Sequence, residues 1–205
     1  MAMIQTRILK KPGEVKAELI RLDLRLEGLL KVRTMALGAG ADATPFHAAN
    51  AAGTFSYHYG IYGLRDEFVG DVWDVDRPDG IEVIRNVSKN VLIGFANVDI
   101  ACNDDHWPIP RTKKGSGAER VSQTTLFDSL PSYVPVPTGL RALYYLMTAM
   151  NGAVELSRPI VKDGDFFGFI DRIYLSNGDD FDRMTTSFDE GDLPATFDPQ
   201  VLRKV

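Results

Sequence analysis

Val91, Leu92, Ile93, Gly94, Phe95 and Ala96 form a run without a polar side chain, apolar on both of the faces that a strand presents alternately. Such a run does not suit an exposed position, because successive side chains point to opposite sides of a sheet. It is expected to be a central strand, with its neighbours in the segments around it. Val72–Val75 and Ile81–Val87 come before it, separated by the turn-forming Asp76-Arg77-Pro78-Asp79-Gly80. With Val91–Val98 they predict an antiparallel meander. Leu140–Met150, Ala153–Leu156 and Phe166–Leu175, broken at Asn151-Gly152 and Asp163-Gly164, predict a second one. The pattern suits one sheet or two.

Two helices are expected to cover this sheet structure. After Pro12-Gly13, the residues Val15, Leu19, Leu22, Leu26, Leu29 and Leu30 recur at three- and four-residue steps. They predict one amphipathic helix over Glu14–Arg33. The near-heptad spacing also suits a dimerisation helix, although Gly28 weakens that reading. Thr54 is placed to cap a second helix running to Val69, dense in Phe55, Tyr57, Tyr59, Tyr62 and Phe68. His58, Tyr62 and Arg65 share one of its faces. Gly60 and Gly63 each cost about 1 kcal/mol inside a helix, which implies close packing there. Leu37–Gly53, containing His47 and Asn50, has no period and reads as a loop. Ser122–Leu130 reads as a short helix, and Pro131, Pro135 and Pro137 mark an extended connector. Helix-then-strand blocks without βαβ alternation predict an α+β fold, with antiparallel sheet or sheets built from two β-meanders, covered by two main helices and joined by long loops. The 205 residues suit a single domain, 1–205, in which 176–198 is an acidic loop or tail.

The stretch that follows the central strand carries most of the residues able to grip a ligand. Trp107 stands in Asn103–Pro110. Arg111, Lys113, Lys114 and Arg120 then surround Gly115-Ser116-Gly117. Backbone amides in a glycine-rich turn can receive an anion, basic side chains can contact phosphate, and an indole can stack on a base. With a net charge of −5 and a pI near 5.2 there is no global basic field, so a nucleic-acid contact has to be local. The sequence reading is therefore a non-catalytic binding protein that contacts nucleic acid or a nucleoprotein complex through Trp107, Arg111, Lys113, Lys114 and Arg120. One alternative is a protein-binding regulator or inhibitor using acidic and aromatic surface, with a protein partner.

A second alternative is a metal-assisted hydrolase around Asp104, Asp105 and His106. Adjacent residues rarely converge on one ion, so such a site needs Asp99, His58 or His47 as a partner. The chain has no HExxH spacing, no Gly-x-Ser-x-Gly elbow and no GxGxxG; no cofactor is expected. Cys102, the sole cysteine, rules out an internal disulfide and reads as a buried small residue. No apolar run approaches the roughly 18 residues that span a bilayer, and the N-terminal residues lack a signal-peptide layout. No membrane association and a cytoplasmic location are the expectations.

Overall fold

The computed structural model describes residues 6–123 and 141–181. In chain order these form β1 (Arg7–Leu9), α1 (Pro12–Arg21), α2 (Leu26–Ala41), α3 (Ala51–Phe68), β2 (Asp74–Asp76), a 3-10 turn at Pro78–Gly80, β3 (Val83–Asn86), β4 (Val91–Asn97), α4 (Ser116–Gln123), β5 (Ala142–Thr148), β6 (Val154–Lys162) and β7 (Asp165–Ser176).

The strands build one seven-stranded sheet of order β1-β7-β6-β5-β4-β3-β2. The expected antiparallel sheets of two meanders are thereby overturned: the sheet is single and mixed. β4 runs parallel to β5 over its whole length, Val91 opposite Ala142 through Asn97 opposite Thr148. β1 adds to the far edge, parallel to β7. The parallel join follows from the connection between β4 and β5. Parallel neighbours need a crossover, and the described part of this one passes over one sheet face as a long strap and α4.

The sheet is covered on both faces. Val91, Ile93 and Phe95 enter a core with Val15, Leu19, Leu29, Val32, Ile61 and Leu64 of α1, α2 and α3. Leu92 and Ala96 enter a second core on the opposite face, with Ala118 and Val121 of α4 and Phe166 and Phe169 of β7. This is the two-sided burial that the apolar run demands.

The helices also differ from the sequence reading. The expected single helix is broken between α1 and α2. Asp23 takes a left-handed conformation (φ 56°), Leu24 N–H donates to Leu19 O (2.9 Å), and Asp23 N–H donates to Ile20 O (3.1 Å). This is a Schellman stop that a stripe continuing through Leu22, Leu26 and Leu29 conceals. The Asp23 carbonyl accepts from Trp73 Nε1, and its carboxylate from Asn86 Nδ2 and Lys89 Nζ. α2 then continues to Ala41, into the segment expected to be a loop. α3 begins at Ala51 with Asn50 as N-cap, three residues before Thr54. Gly60 lies against Phe95: a β-carbon there would fall 2.4 Å from the ring. The connector prolines, 124–130 and the tail beyond Phe181 lie outside the described residues.

Candidate functional site

The strap between β4 and α4 begins with a closed excursion. Val98 bridges Pro110. Asp99 N–H donates to Ile109 O (3.1 Å) and Arg111 N–H to Asn97 O (2.9 Å). Asp99 organises the interior. Its Oδ1 accepts from Ile100 N–H (2.7 Å) and Ile109 N–H (2.8 Å), and His106 Nε2 donates to its Oδ2 (2.8 Å). Partial burial pushes the Asp99 carboxyl up, but the donors from Ile109, Ile100 and His106 outweigh that and hold it below the usual aspartate range.

Beneath the excursion lies a buried ion pair. Arg172 of β7 and Glu155 of β6 have side chains 1% and 0% exposed and meet through two parallel contacts, Nη2 to Oε2 (2.7 Å) and Nε to Oε1 (3.0 Å). The remaining capacity of both groups is directed mainly at the strap. Glu155 Oε2 also accepts from Cys102 N–H (2.7 Å), and Oε1 from Ser157 Oγ (2.7 Å). Arg172 Nη1 donates to Asn103 O (2.8 Å) and His106 O (3.1 Å). The pair therefore pins the strap backbone from below. An apolar substitute could fill the volume but could not satisfy those carbonyls and that amide. Cys102 sits at the pin with a left-handed backbone (φ 57°), and its Sγ–H is within reach of Val154 O (3.2 Å) and Ser176 O (3.3 Å). Cys102 is half-buried and not fully buried as expected, and its surroundings, with the Glu155 charge nearby, push its thiol up to about 12.

The five residues expected to bind nucleic acid separate into three exposed on the strap, one that turns inward and one on a helix. Trp107, half-exposed at 51%, meets Phe169 edge-on at 6.2 Å between ring centroids. Arg111 is exposed, with Nε donating to Val98 O (3.2 Å). Lys113 is exposed, its Nζ 3.8 Å from Asp165. Lys114, its neighbour, turns inward: its Nζ stands 5.0 Å from the Tyr145 ring centroid and 5.8 Å from that of Phe166. Part of its stem reaches the surface, but dense protein surrounds the amine, and burial pushes its pKa down to about 8. Its N–H donates to Gly164 O (2.8 Å), fastening the strap to the β6–β7 turn. Arg120 is not on a loop. It lies in α4, where Nε (3.2 Å) and Nη2 (3.0 Å) reach Asp79 Oδ1. The expected basic tip is thus half strap and half helix.

The metal candidates do not converge. Asp104 pairs with Lys10, Asp105 N–H is taken by Asn103 Oδ1, and His106 faces Asp99. Among the described residues no three His, Cys, Asp or Glu are grouped to hold an ion. His58 and His47 belong to α3 and the loop before it; His47 Nδ1 accepts from Thr44 N–H (3.0 Å).

Sequence reasoning missed Glu155 and Arg172. The available signal was a single acid, Glu155, among the otherwise apolar Ala153–Leu156, and an adjacent acid and base, Asp171 and Arg172, inside the otherwise apolar Phe166–Leu175. It also missed Arg33, which is 1% exposed and grips Asp180 through Nη1 (3.0 Å) and Nη2 (2.8 Å). The Arg33 contact, opposed by partial burial and helped by Ser176, holds Asp180 at about 2. None of the described helices is long and apolar enough to cross a membrane. Comparison of the chain with protein-family models, curated proteins and solved structures returns no match.

Proposed function

We propose that this chain is a binding protein, not a catalyst, and that the strap contacts nucleic acid or a nucleoprotein complex. The observation that carries the reading is that Trp107, Arg111 and Lys113 are exposed on one strap whose backbone is held by a buried ion pair. A fixed platform lowers the ordering cost of binding. Trp107 offers a stacking face, while Arg111 and Lys113 offer phosphate contacts. Arg120 can join by exchanging Asp79 for a phosphate. Lys114 serves the platform and not the ligand.

The test is fluorescence anisotropy with labelled single- and double-stranded DNA and RNA at low and moderate salt. Binding that weakens with salt is expected. In the Arg111→Ala/Lys113→Ala variant, the slope of log affinity against log salt should fall by roughly one to two, the share of two phosphate contacts. No binding at low salt overturns the reading.

A second reading rests on α3. Tyr59 and Tyr62 are 52% and 55% exposed and meet edge-on, Asp66 is exposed one turn further on, and Phe46 stands fully in solvent. Aromatic and acidic surface of this kind suits a protein partner. That reading expects capture of a protein whose binding is lost in Tyr59→Ala/Tyr62→Ala and unchanged in Arg111→Ala/Lys113→Ala.

A further inference from the structure

Among the described residues every lysine but one is exposed, and Lys10, Lys11, Lys31, Lys89 and Lys113 pair with carboxylates. Lys114 alone is drawn inward. Its Nζ stands 5.0 Å from the centre of the Tyr145 ring and 5.8 Å from that of Phe166, and those residues are 2% and 7% exposed. No carboxylate of the described residues pairs with the amine, and burial alone shifts its charge equilibrium. An ammonium in this place exchanges its water for two ring faces, which attract a cation only weakly by comparison. The free amine loses far less. The backbone holds the group there, because the Lys114 N–H donates to Gly164 O (2.8 Å). The side chain is not sealed in: it keeps partial exposure, and Thr112, Lys113 and Gly115 around it are exposed.

A lysine without a counter-charge, set against apolar rings on a fixed backbone and reached from the strap surface, is a nucleophile. We infer that Lys114 is an acylation site that takes a short uncharged acyl group from a thioester. The Nζ lone pair attacks the thioester carbonyl. The C–N bond forms, the C–S bond breaks, the sulfur leaves as thiolate and the amine proton passes to water. The product suits the place better than the ammonium does. It is a neutral amide, so the charge that burial disfavours is removed. A succinyl group would return a charge to the same apolar surroundings, so a short neutral group is favoured over a dicarboxylic one. Acylation then acts on the strap, because the same residue fastens it to the β6–β7 turn. The modified strap is held more firmly.

The experiment uses the full chain and the acetyl thioester of N-acetylcysteamine, a small uncharged donor. Peptide mass spectrometry quantifies each modified lysine. Lys113, adjacent, exposed and ion-paired, is the internal reference. At pH 8 acetylation should favour Lys114 over Lys113 by about tenfold, the larger free-amine fraction outweighing the lower basicity. The Lys114 rate should level off above about pH 8, while that of Lys113 keeps rising toward 10.5. In urea the ratio should fall to about one, because both lysines then have the ordinary value. The succinyl thioester should show a smaller preference for Lys114. The chain acetylated at Lys114 should melt higher than the parent at pH 7, and the gain should shrink as pH rises past about 8. Acetylation of Lys114 no faster than Lys113 overturns the inference. So does a Lys114 rate that climbs with that of Lys113 through pH 10, which would mean that the rings keep the amine charged. A lower melting temperature on acetylation, a preference that persists in urea, or an equal preference with the succinyl thioester also overturns it.

Discussion

The two faces of the sheet are closed by different means. On the first, three helices bury aliphatic and aromatic side chains, and contact is close enough that Gly60 rides on the Phe95 ring. Ion pairs on that side lie at margins, as where Arg7 joins Glu18 to Asp171 with its own side chain 49% exposed; the exception is Arg33 of α2, whose buried guanidinium reaches the half-exposed Asp180. On the second face, α4 covers only part of the surface, and a strap without regular structure covers much of the rest. A strap has no apolar stripe to bury, so its hold is polar: Glu155 and Arg172 under Cys102, Asn103 and His106, and the Lys114 N–H on Gly164 O. The contrast separates a cover that rests on burial from one that rests on buried charge. The second should respond to charge and pH far more than the first.

The largest effect is expected at the pin. Arg172→Met should cost about 3–5 kcal/mol, because it leaves Glu155 buried and unpaired and two strap carbonyls without a donor. Urea unfolding measures this. Replacing Arg172 and Glu155 together with apolar residues should recover part of the loss, and a double variant no better than the single would break the assignment.

Next is Lys114. Its folded pKa is lowered, so folding disfavours its charged form. The penalty is present at pH below about 8 and is relieved as pH rises toward the unfolded value of 10.5, by at most about 3 kcal/mol. Unfolding free energy should rise across that window in the parent protein, and Lys114→Met should remove this contribution and stabilise the fold near neutral pH. A destabilised Lys114→Met variant would remove the burial argument.

On the first face, Gly60→Ala should cost about 1–3 kcal/mol by forcing Phe95 aside, despite the better helix propensity of alanine. That loss should be nearly independent of pH, the sharpest contrast with Lys114. The smallest effect is expected for His106→Ala, about 1 kcal/mol, since Asp99 keeps both backbone donors. A larger loss, read by thermal melting, would mean that the imidazole carries the strap.

The central strand was legible because a run apolar on both faces has few other places to be. The close approach at Gly60 was legible for a similar reason: a glycine inside a helix implies a neighbour. The sheet's mixed character was not legible. Strand periodicity carries no direction, and what makes β5 parallel to β4 is a crossover whose strap has no pattern. The stop at Asp23 was hidden because the leucine stripe keeps its spacing across the break. At the candidate site, residue type marked Trp107, Arg111, Lys113 and Lys114, but type alone does not distinguish a lysine facing solvent from its neighbour facing a ring. Glu155 and Arg172 lie in different strands and are brought within reach, diagonally across the ladder, only by the β6–β7 pairing.

The central claim is that the strap is a fixed cover and not a free loop. Amide hydrogen exchange tests it most directly. The Cys102, Ile109, Arg111 and Lys114 amides all donate within the fold, and the account predicts that they exchange slowly, with protection of Cys102 collapsing in Arg172→Met while α3 remains protected. Exchange of these four amides at the rate of an unstructured chain in the parent protein would contradict it.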